Sequence, residues 1–477
     1  MISFMQVDNL SKRFGERLLF ENISFGIAKN QKTALIAPNG KGKSTLLRII
    51  AGEESPDTGS VIFRNDITVG YLEQDPRLDL DAPVIEEVFN TDTPVLRLIK
   101  EYEQAVAAND TDALATLIPK VDALNAWNLE NDIKQILSKL KINHYGQPIR
   151  ELSGGQRKRV GLAKVLIKNP DFLILDEPTN HLDTDMIEWL EDYLHDTQTT
   201  LLMVTHDRYF LDRVCDNIIE LDDYGLYTYA GNYSYYLEKR AERVEAANAA
   251  VDKARNLLRV EQEWMRRMPQ ARGHKARYRI DNFYRLKDAA ARRPEEKRLE
   301  LDIKGQRLGS KILELHHVSK SYEGRCLIRD FSYKFIRGEK IGIIGRNGIG
   351  KSTFLDIVTR AIEPDSGAID IGETVVYGYY RQAGISFRPD DRPIDIVREI
   401  AERVDLGNGR VMSASQFLEY FLFPDKLQYT PVAKLSGGER RRLYLLTVLM
   451  ANPNFLVLDE PTNDLDIMTL NVLEDYL

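Results

Sequence analysis

The sequence has almost no cysteine. Cys215 and Cys326 are the only two in 477 residues, too few for a disulfide framework, and the natural reading is a reducing cytoplasm. Long hydrophobic runs are missing as well. No stretch approaches the roughly twenty apolar residues that a membrane helix needs, so no transmembrane helix is expected. The opening residues, MISFMQVDNLSKRF, lack a basic region followed by an apolar one and do not read as a secretory signal. An overall excess of positive charge is also absent. The net charge is −8, which on average argues against nucleic acid as a partner. What is present is 43% hydrophobic and 29% charged residues, the composition of a soluble globular protein. The length is too great for one ordinary core and implies two or three domains.

The chain repeats itself. LSKRFGERLLFENISFGI returns as VSKSYEGRCLIRDFSYKF, APNGKGKSTLLRII as GRNGIGKSTFLDIV, GYLEQ as GYYRQ, and LSGGQRKRV as LSGGERRRL. Between Phe14 and Gln74 the shift is a constant 308 residues, to Tyr322 and Gln382; from Leu152 onward it is 283, to Leu435. The first copy therefore carries 25 extra residues between Gln74 and Leu152. They are expected within Pro94–Lys141, a stretch that reads as helical, and form either a longer helical subdomain packed on its own copy or a projecting arm. The sequence divides into a first repeat over 1–237 with a helical insertion within about 90–145, a linker over 238–307, and a second repeat over 308–477.

The linker has a different composition. Its first part, EKRAERVEAANAAVDKARNLLRVEQEWMRRM, has no Gly or Pro, and Val244, Ala247, Val251, Ala254 and Leu258 recur at coiled-coil spacing. Pro269 and Gly273 interrupt it, and a second run follows with Ile280, Phe283 and Leu286 on one side. The pattern predicts a helical hairpin with its tip at MPQARGHKARYR. From Trp264 to Arg293 there are ten Lys and Arg against Asp281 and Asp288, a local charge of +8. A charge run is usually a solvated face. One-signed charge with Tyr278, Phe283 and Tyr284 interleaved suits RNA or DNA better, because cations hold phosphates and rings stack on unpaired bases. Arg266, Arg267, Arg272, Lys275, Arg277 and Arg279 are the candidate contacts.

Each repeat carries an apolar strand, a Gly-rich loop and an apolar-periodic helix. Such a loop turns backbone N–H groups onto phosphates at a helix N-terminus. The loops supply Asn39, Gly40, Gly42, Lys43, Ser44 and Thr45 in the first copy, and Gly345, Asn347, Gly348, Gly350, Lys351, Ser352 and Thr353 in the second. Lys43 and Lys351 reach the β- and γ-phosphates, and the Ser44 and Ser352 hydroxyls face Mg²⁺. The first copy departs from the pattern in having Ala37 where Gly is usual, which is tolerable if φ is negative there. Two buried strands, FLILDE and FLVLDE, then deliver acid pairs. Asp176 and Asp459 are the expected Mg²⁺ holders, with Gln74 and Gln382; Glu177 and Glu460 are expected to orient and activate the attacking water. His206 ends a further strand, within reach of a γ-phosphate. Phe14 and Tyr322 lie upstream, where a ring can stack on adenine. The same order of motifs, twice at matched spacing, is far beyond coincidence.

These residues resemble the ATP-binding cassette superfamily across both copies. The resemblance implies an α/β fold, with two P-loop ATP-binding-cassette domains in tandem joined by an α-helical hairpin linker. It also implies ATP sites shared head to tail. Ser153, Gly154 and Gly155 would complete the site of the second phosphate loop, and Ser436, Gly437 and Gly438 that of the first. Two fused cassettes with a charged helical linker resemble the ABC-F class, and EQEWMRRMPQARGHKARYR is similar to linkers of its Uup branch. The class implies a monomeric cytoplasmic ATPase acting on the ribosome, ribosomal RNA and tRNA. The Uup branch keeps branched DNA open as an alternative partner, and a soluble transporter subunit is a third. The final WLEDYL of the first repeat recurs at Leu477, so the counterpart of His206 and its strand falls outside the sequence. A missing strand would leave a slot in the middle of the second sheet, and the chain is therefore expected to be a piece of a longer one.

Overall fold

A computed structural model describes residues 2–15, 17–89, 98, 101–102, 105–106, 110–123, 129–222, 225–266, 277–291, 308–309, 311–322, 324–382, 384–407, 410–463 and 465–477. In the first repeat, β1 (Ser3–Phe14), β2 (Arg17–Ala28), β3 (Lys32–Ile36), β4 (Thr58–Phe63), β5 (Val69–Leu72), β6 (Phe172–Asp176), β7 (Thr200–Val204), β8 (Asn217–Asp222) and β9 (Gly225–Ala230) form two sheets. The antiparallel sheet has the order β2-β1-β4. The larger sheet has the order β5-β6-β7-β3-β8-β9, and its first five strands are parallel. The sequences KTALI, FLILD and TLLMV are nearly continuous apolar runs because parallel strands are covered on both faces; β6 and β7 are buried at every residue. The helix Lys43–Ile50 lays Leu46, Leu47, Ile49 and Ile50 into the same core as Leu35, Ile174 and Leu202. The ends of β3, β6 and β7 lie side by side, so the phosphate loop, Asp176 and His206 converge at the carboxyl edge of the sheet, where open α/β sheets bind ligands.

The second repeat reproduces much of this. β10 (Leu313–Tyr322), β11 (Arg325–Phe335) and β12 (Ser366–Ile371) form the antiparallel sheet. β13 (Tyr377–Tyr380) pairs in parallel only with β16 (Phe455–Leu458). Residues 339–346, the counterpart of β3, form no strand. Ile341, Ile343 and Ile344 are exposed, Ile344 to 89%, whereas Ile36 in β3 is buried. An apolar strand without a partner on either side has neither ladder hydrogen bonds nor a covered face.

The repeats also differ between the Gln and the LSGG segment. The first has helices Thr111–Ala123 and Leu129–Lys139. Leu98, Ala105, Leu117 and Val121 make a small core of their own. Leu129–Lys139 packs on Gly154–Ile167, with Arg159 donating to the Leu140 carbonyl at 3.0 Å. The same contact recurs in the second repeat, where Arg442 donates to the Leu422 carbonyl at 3.1 Å after the helix Ala414–Tyr420, so Leu129–Lys139 is common to both copies. The second repeat has Pro393–Ile400 and a short hairpin of β14 (Arg403–Gly407) and β15 (Arg410–Ser413). Helices Ala414–Tyr420 and Asp425–Gln428 follow.

Tyr229–Glu300 is a compact unit of its own. Its helix Tyr233–Arg266 begins a few residues earlier than the sequence suggested, and Arg277–Ala291 packs against it. Val251 and Ala254 are buried, Val244 and Leu258 half-buried, and Ala247 exposed. Ile280, Phe283 and Leu286 are half-buried, which fits an apolar seam. Among the described residues no helix is long and apolar enough to cross a membrane.

Candidate nucleotide-binding site

The two phosphate loops have the same local geometry. Gly42 and Gly350 cap their helices with φ of 85° and 110° and offer no side-chain cap. The first N–H groups of each helix are thus left for an anion. A side chain at either glycine would also press on a leucine, Leu19 at 3.0 Å or Leu327 at 3.1 Å, inside ordinary van der Waals contact. The Lys43 ammonium donates to the Ala37 carbonyl at 2.8 Å and to Asn39 Oδ1 at 3.2 Å. Lys351 does the same to Gly345 and Asn347, at 2.8 and 3.2 Å. Ala37 does not take a positive φ, so the missing glycine changes nothing in how the lysine is held. Phe14 and Tyr322 are exposed at the ends of β1 and β10.

Around the first loop the acidic groups are dry. Neither carboxylate oxygen of Asp176 has a hydrogen-bond partner, and the same is true of Glu177 Oε2 and His206 Nδ1. Burial raises the Asp176 carboxyl, against the opposing influence of Ser44 and Lys43. Buried acceptors with no donor are costly. The two Asp176 oxygens would, with the Ser44 hydroxyl and Gln74, offer the oxygen donors that suit Mg²⁺. Burial pushes Glu177 up to about 8, against the pull of Lys43. His206 is driven down to about 3 by burial and by Lys43, so its ring is neutral. Its Nε2 lies 3.1 Å from Glu177 Oε1, a close approach of neutral imidazole to carboxyl rather than an ion pair. His206, expected within reach of a γ-phosphate, lies beside Glu177 at the end of β7. The Glu177 N–H donates to the Val204 carbonyl at 2.8 Å. Glu177 and Glu460 both take positive φ, 52° and 48°, strain of the kind found where a side chain must be aimed.

Around the second loop, Glu460 Oε2 accepts from Gln382 at 3.1 Å and from Asn463 at 2.8 Å. Asp459 is buried. A cavity of about 360 Å³ is lined by Ser153, Gly155, Gln156, Gly348, Gly350, Lys351, Ser352, Thr353, Gln382 and Glu460. It thus joins the LSGG segment of one repeat to the phosphate loop of the other. Asn347 Nδ2 crosses to the His181 carbonyl at 3.0 Å. At the other pairing, a Cβ on Gly438 would lie 2.2 Å from Asn39 Nδ2, so Ser436, Gly437 and Gly438 face the first loop. The Asn39 N–H donates to Asp466 Oδ2 at 2.8 Å, and Arg442 holds the same carboxylate at 2.6 Å. Burial opposes ionisation of Asp466, but Arg442 and Lys43 hold it well below the usual carboxylate range. Sequence reading missed Asp466 and His181. Both sit in the segments just after the acid pairs, NDLD and NHLD, whose recurrence was the available signal.

Of the hairpin cations, Arg267, Arg272 and Lys275 lie outside the described residues. Arg266 and Arg277 are exposed, as is Tyr278. Arg279 is different: it forks onto Glu261 at 2.8–3.2 Å. Glu261 lies just outside the stretch in which charges were counted, so the sequence reading missed the anion that occupies Arg279.

A family model described as ABC transporter matches residues 20–180 and 328–463, and a second of the same description matches 219–301. The uncharacterized ABC transporter ATP-binding protein YfmR of Bacillus subtilis is 46% identical over all of this chain and 77% of its own length. The energy-dependent translational throttle protein EttA of Mycobacterium tuberculosis is 37% identical over 98% of this chain and 85% of its own. The ATP-binding protein Uup of Haemophilus influenzae is 37% identical over 97% of this chain and 73% of its own. Two matched cassettes, two Walker-type loops with their acid pairs, and these relatives together place the chain in the ABC transporter family, as an ATPase of its ABC-F branch.

Proposed function

We propose that the chain binds ATP at two composite sites between its cassettes and uses their closure to act on the ribosome and its tRNA during translation. The observation that carries the reading is the cavity that joins the Lys351 loop to Ser153 and Gly155 of the other repeat. A ligand held by both halves favours the closed pair, and its cleavage removes that preference. Mg²⁺ bound beside Ser44, Gln74 and Asp176, or Ser352, Gln382 and Asp459, would neutralise charge on the β- and γ-phosphates. Lys43, straightened by Ala37 and Asn39, points its ammonium across the loop. Glu177 accepts a proton from the attacking water, and neutral His206 fixes the carboxyl that does so. The enzyme acts as a cytoplasmic monomer, since closure is intramolecular.

The target is inferred from the relatives named as translational throttle proteins and from the exposed Arg266, Arg277 and Tyr278 of the hairpin. The test uses protein carrying Glu177→Gln and Glu460→Gln, bound to ATP, and compares co-sedimentation with ribosomes to binding of branched DNA at matched salt. Replacing Arg266, Arg272, Lys275 and Arg277 by Glu should abolish ribosome association while ATP binding stays unchanged. The log–log salt slope should flatten by about 0.7–0.9 for each phosphate that the hairpin no longer neutralises. Arg279 is left intact because its removal would strand Glu261. Loss of branched-DNA binding with normal ribosome association would replace the ribosomal reading with the DNA one.

A further inference from the structure

The two composite sites are bridged differently. Across the site of the first loop, the Arg17 guanidinium pairs with Glu439, with Nη2–Oε1 at 2.9 Å and Nη1–Oε2 at 3.4 Å. Arg17 opens β2 in the first cassette, and Glu439 is the residue after the two glycines of LSGGE in the second. Glu439 is buried to 2% exposure. It also accepts from the Ser436 N–H at 2.7 Å, closing the capping box of the helix Gly437–Met450. Burial opposes its ionisation, yet Arg17 and Ser436 hold its carboxyl below the usual range. The pair lies directly on the phosphate loop: a Cβ at Gly40 would meet Arg17 Nη2 at 2.6 Å, Glu439 Oε1 at 2.9 Å and Ser436 Oγ at 3.2 Å.

Across the other site the corresponding residues are Arg325 and Gln156. Gln156 closes the same capping box with no charge. Arg325 is exposed and forms no ion pair among the described residues. A Cβ at Gly348, the counterpart of Gly40, would meet nothing within 4 Å. The second loop has a cross-cassette ion pair of its own, Arg346 to Asp185, but it is long at 3.8 Å and exposed on both sides; the first loop is covered by a close pair whose carboxylate is buried, and the other opens on the cavity.

We infer that Arg17 is a positioning residue for the nucleotide site built on Lys43, and that the Arg17–Glu439 pair makes this site close more tightly than the site built on Lys351. The inference rests on the composite-site reading. A charged pair with a buried carboxylate, made only when the cassettes meet, stabilises the closed form alone, so it slows release of whatever the closed site holds.

The experiment is a double-mutant cycle on the full chain carrying Glu177→Gln and Lys351→Ala, which confines tight ATP binding to the Lys43 site. Release of a methylanthraniloyl-labelled ATP is followed by stopped flow after a chase of unlabelled ATP. Glu439→Gln keeps the capping box, as Gln156 does, and should speed release about three- to tenfold. Arg17→Gln should do the same, Arg17→Lys should restore part of the loss, and the double variant should release no faster than either single one. Melting temperatures should not move. Rates that multiply in the double variant, or melting temperatures that fall in step with release, would overturn the clamp. Lys43→Ala is measured alongside: if it leaves labelled-ATP binding intact, the nucleotide site itself has been misread, whereas loss of binding with multiplying rates removes the clamp alone.

Discussion

Glu177 and Glu460 follow the same strand in two copies of one sequence, yet their surroundings differ. Glu177 has a 7% exposed side chain against neutral His206; Glu460 is 31% exposed and tied to Gln382 and Asn463. The difference originates one strand away. In the first cassette β7 lies between β6 and β3, closes the middle of the sheet and delivers His206. In the second, residues 339–346 form no strand, and Ile341, Ile343 and Ile344 of that segment are exposed. Glu177 is thus the drier of the two carboxyls, set at the edge of a six-stranded sheet.

The sharpest way to break this comparison is through the catalytic groups. Glu177→Gln should lower ATP turnover by about 10²–10⁴-fold while ATP still binds. Lys43→Ala should remove more of the turnover of this chain than Lys351→Ala, because Glu177 is buried beside His206 whereas Glu460 is 31% exposed. If Lys351→Ala abolished hydrolysis and Lys43→Ala spared it, the two sites would have been ranked the wrong way round.

A second test addresses the sheets. Ile36 sits in a packed strand, so Ile36→Ala should destabilise the chain by about 2–5 kcal/mol in urea unfolding. Ile344→Ala removes a side chain already in solvent and should fall within about 0.5 kcal/mol of zero. Equal costs at the two positions would mean that the second loop is packed as the first is.

The smallest effect is in the pH profile. A base must be deprotonated to accept a proton, and burial raises Glu177 to about 8. With Lys351→Ala isolating the first site, kcat/KM for ATP should therefore rise about tenfold per unit below pH 8 and level off above it. His206 is already neutral throughout this range and adds no limb of its own. A flat profile from pH 6 to 9 would show that Glu177 is ionised over that whole range.

The sequence by itself determined the duplication, the two phosphate loops with their acid pairs, and the helical linker. All of these are local patterns: a Gly-rich turn before a helix, an apolar run ending in Asp-Glu, and a constant shift of 308 residues whose continuation can be counted. Ala37 could also be judged in advance, because only its φ mattered. Tertiary structure alone decided what the side chains meet. The capping-box positions Gln156 and Glu439 are interchangeable as helix starts, but one of them faces Arg17 from a segment 422 residues away. Arg279 counted as a free cation until a second helix brought Glu261 beside it. His206 turned to Glu177 because the ends of β6 and β7 lie together. Charge and hydrogen bonding depend on separation in space and on exclusion of water, and neither is written in the spacing of residues along the chain.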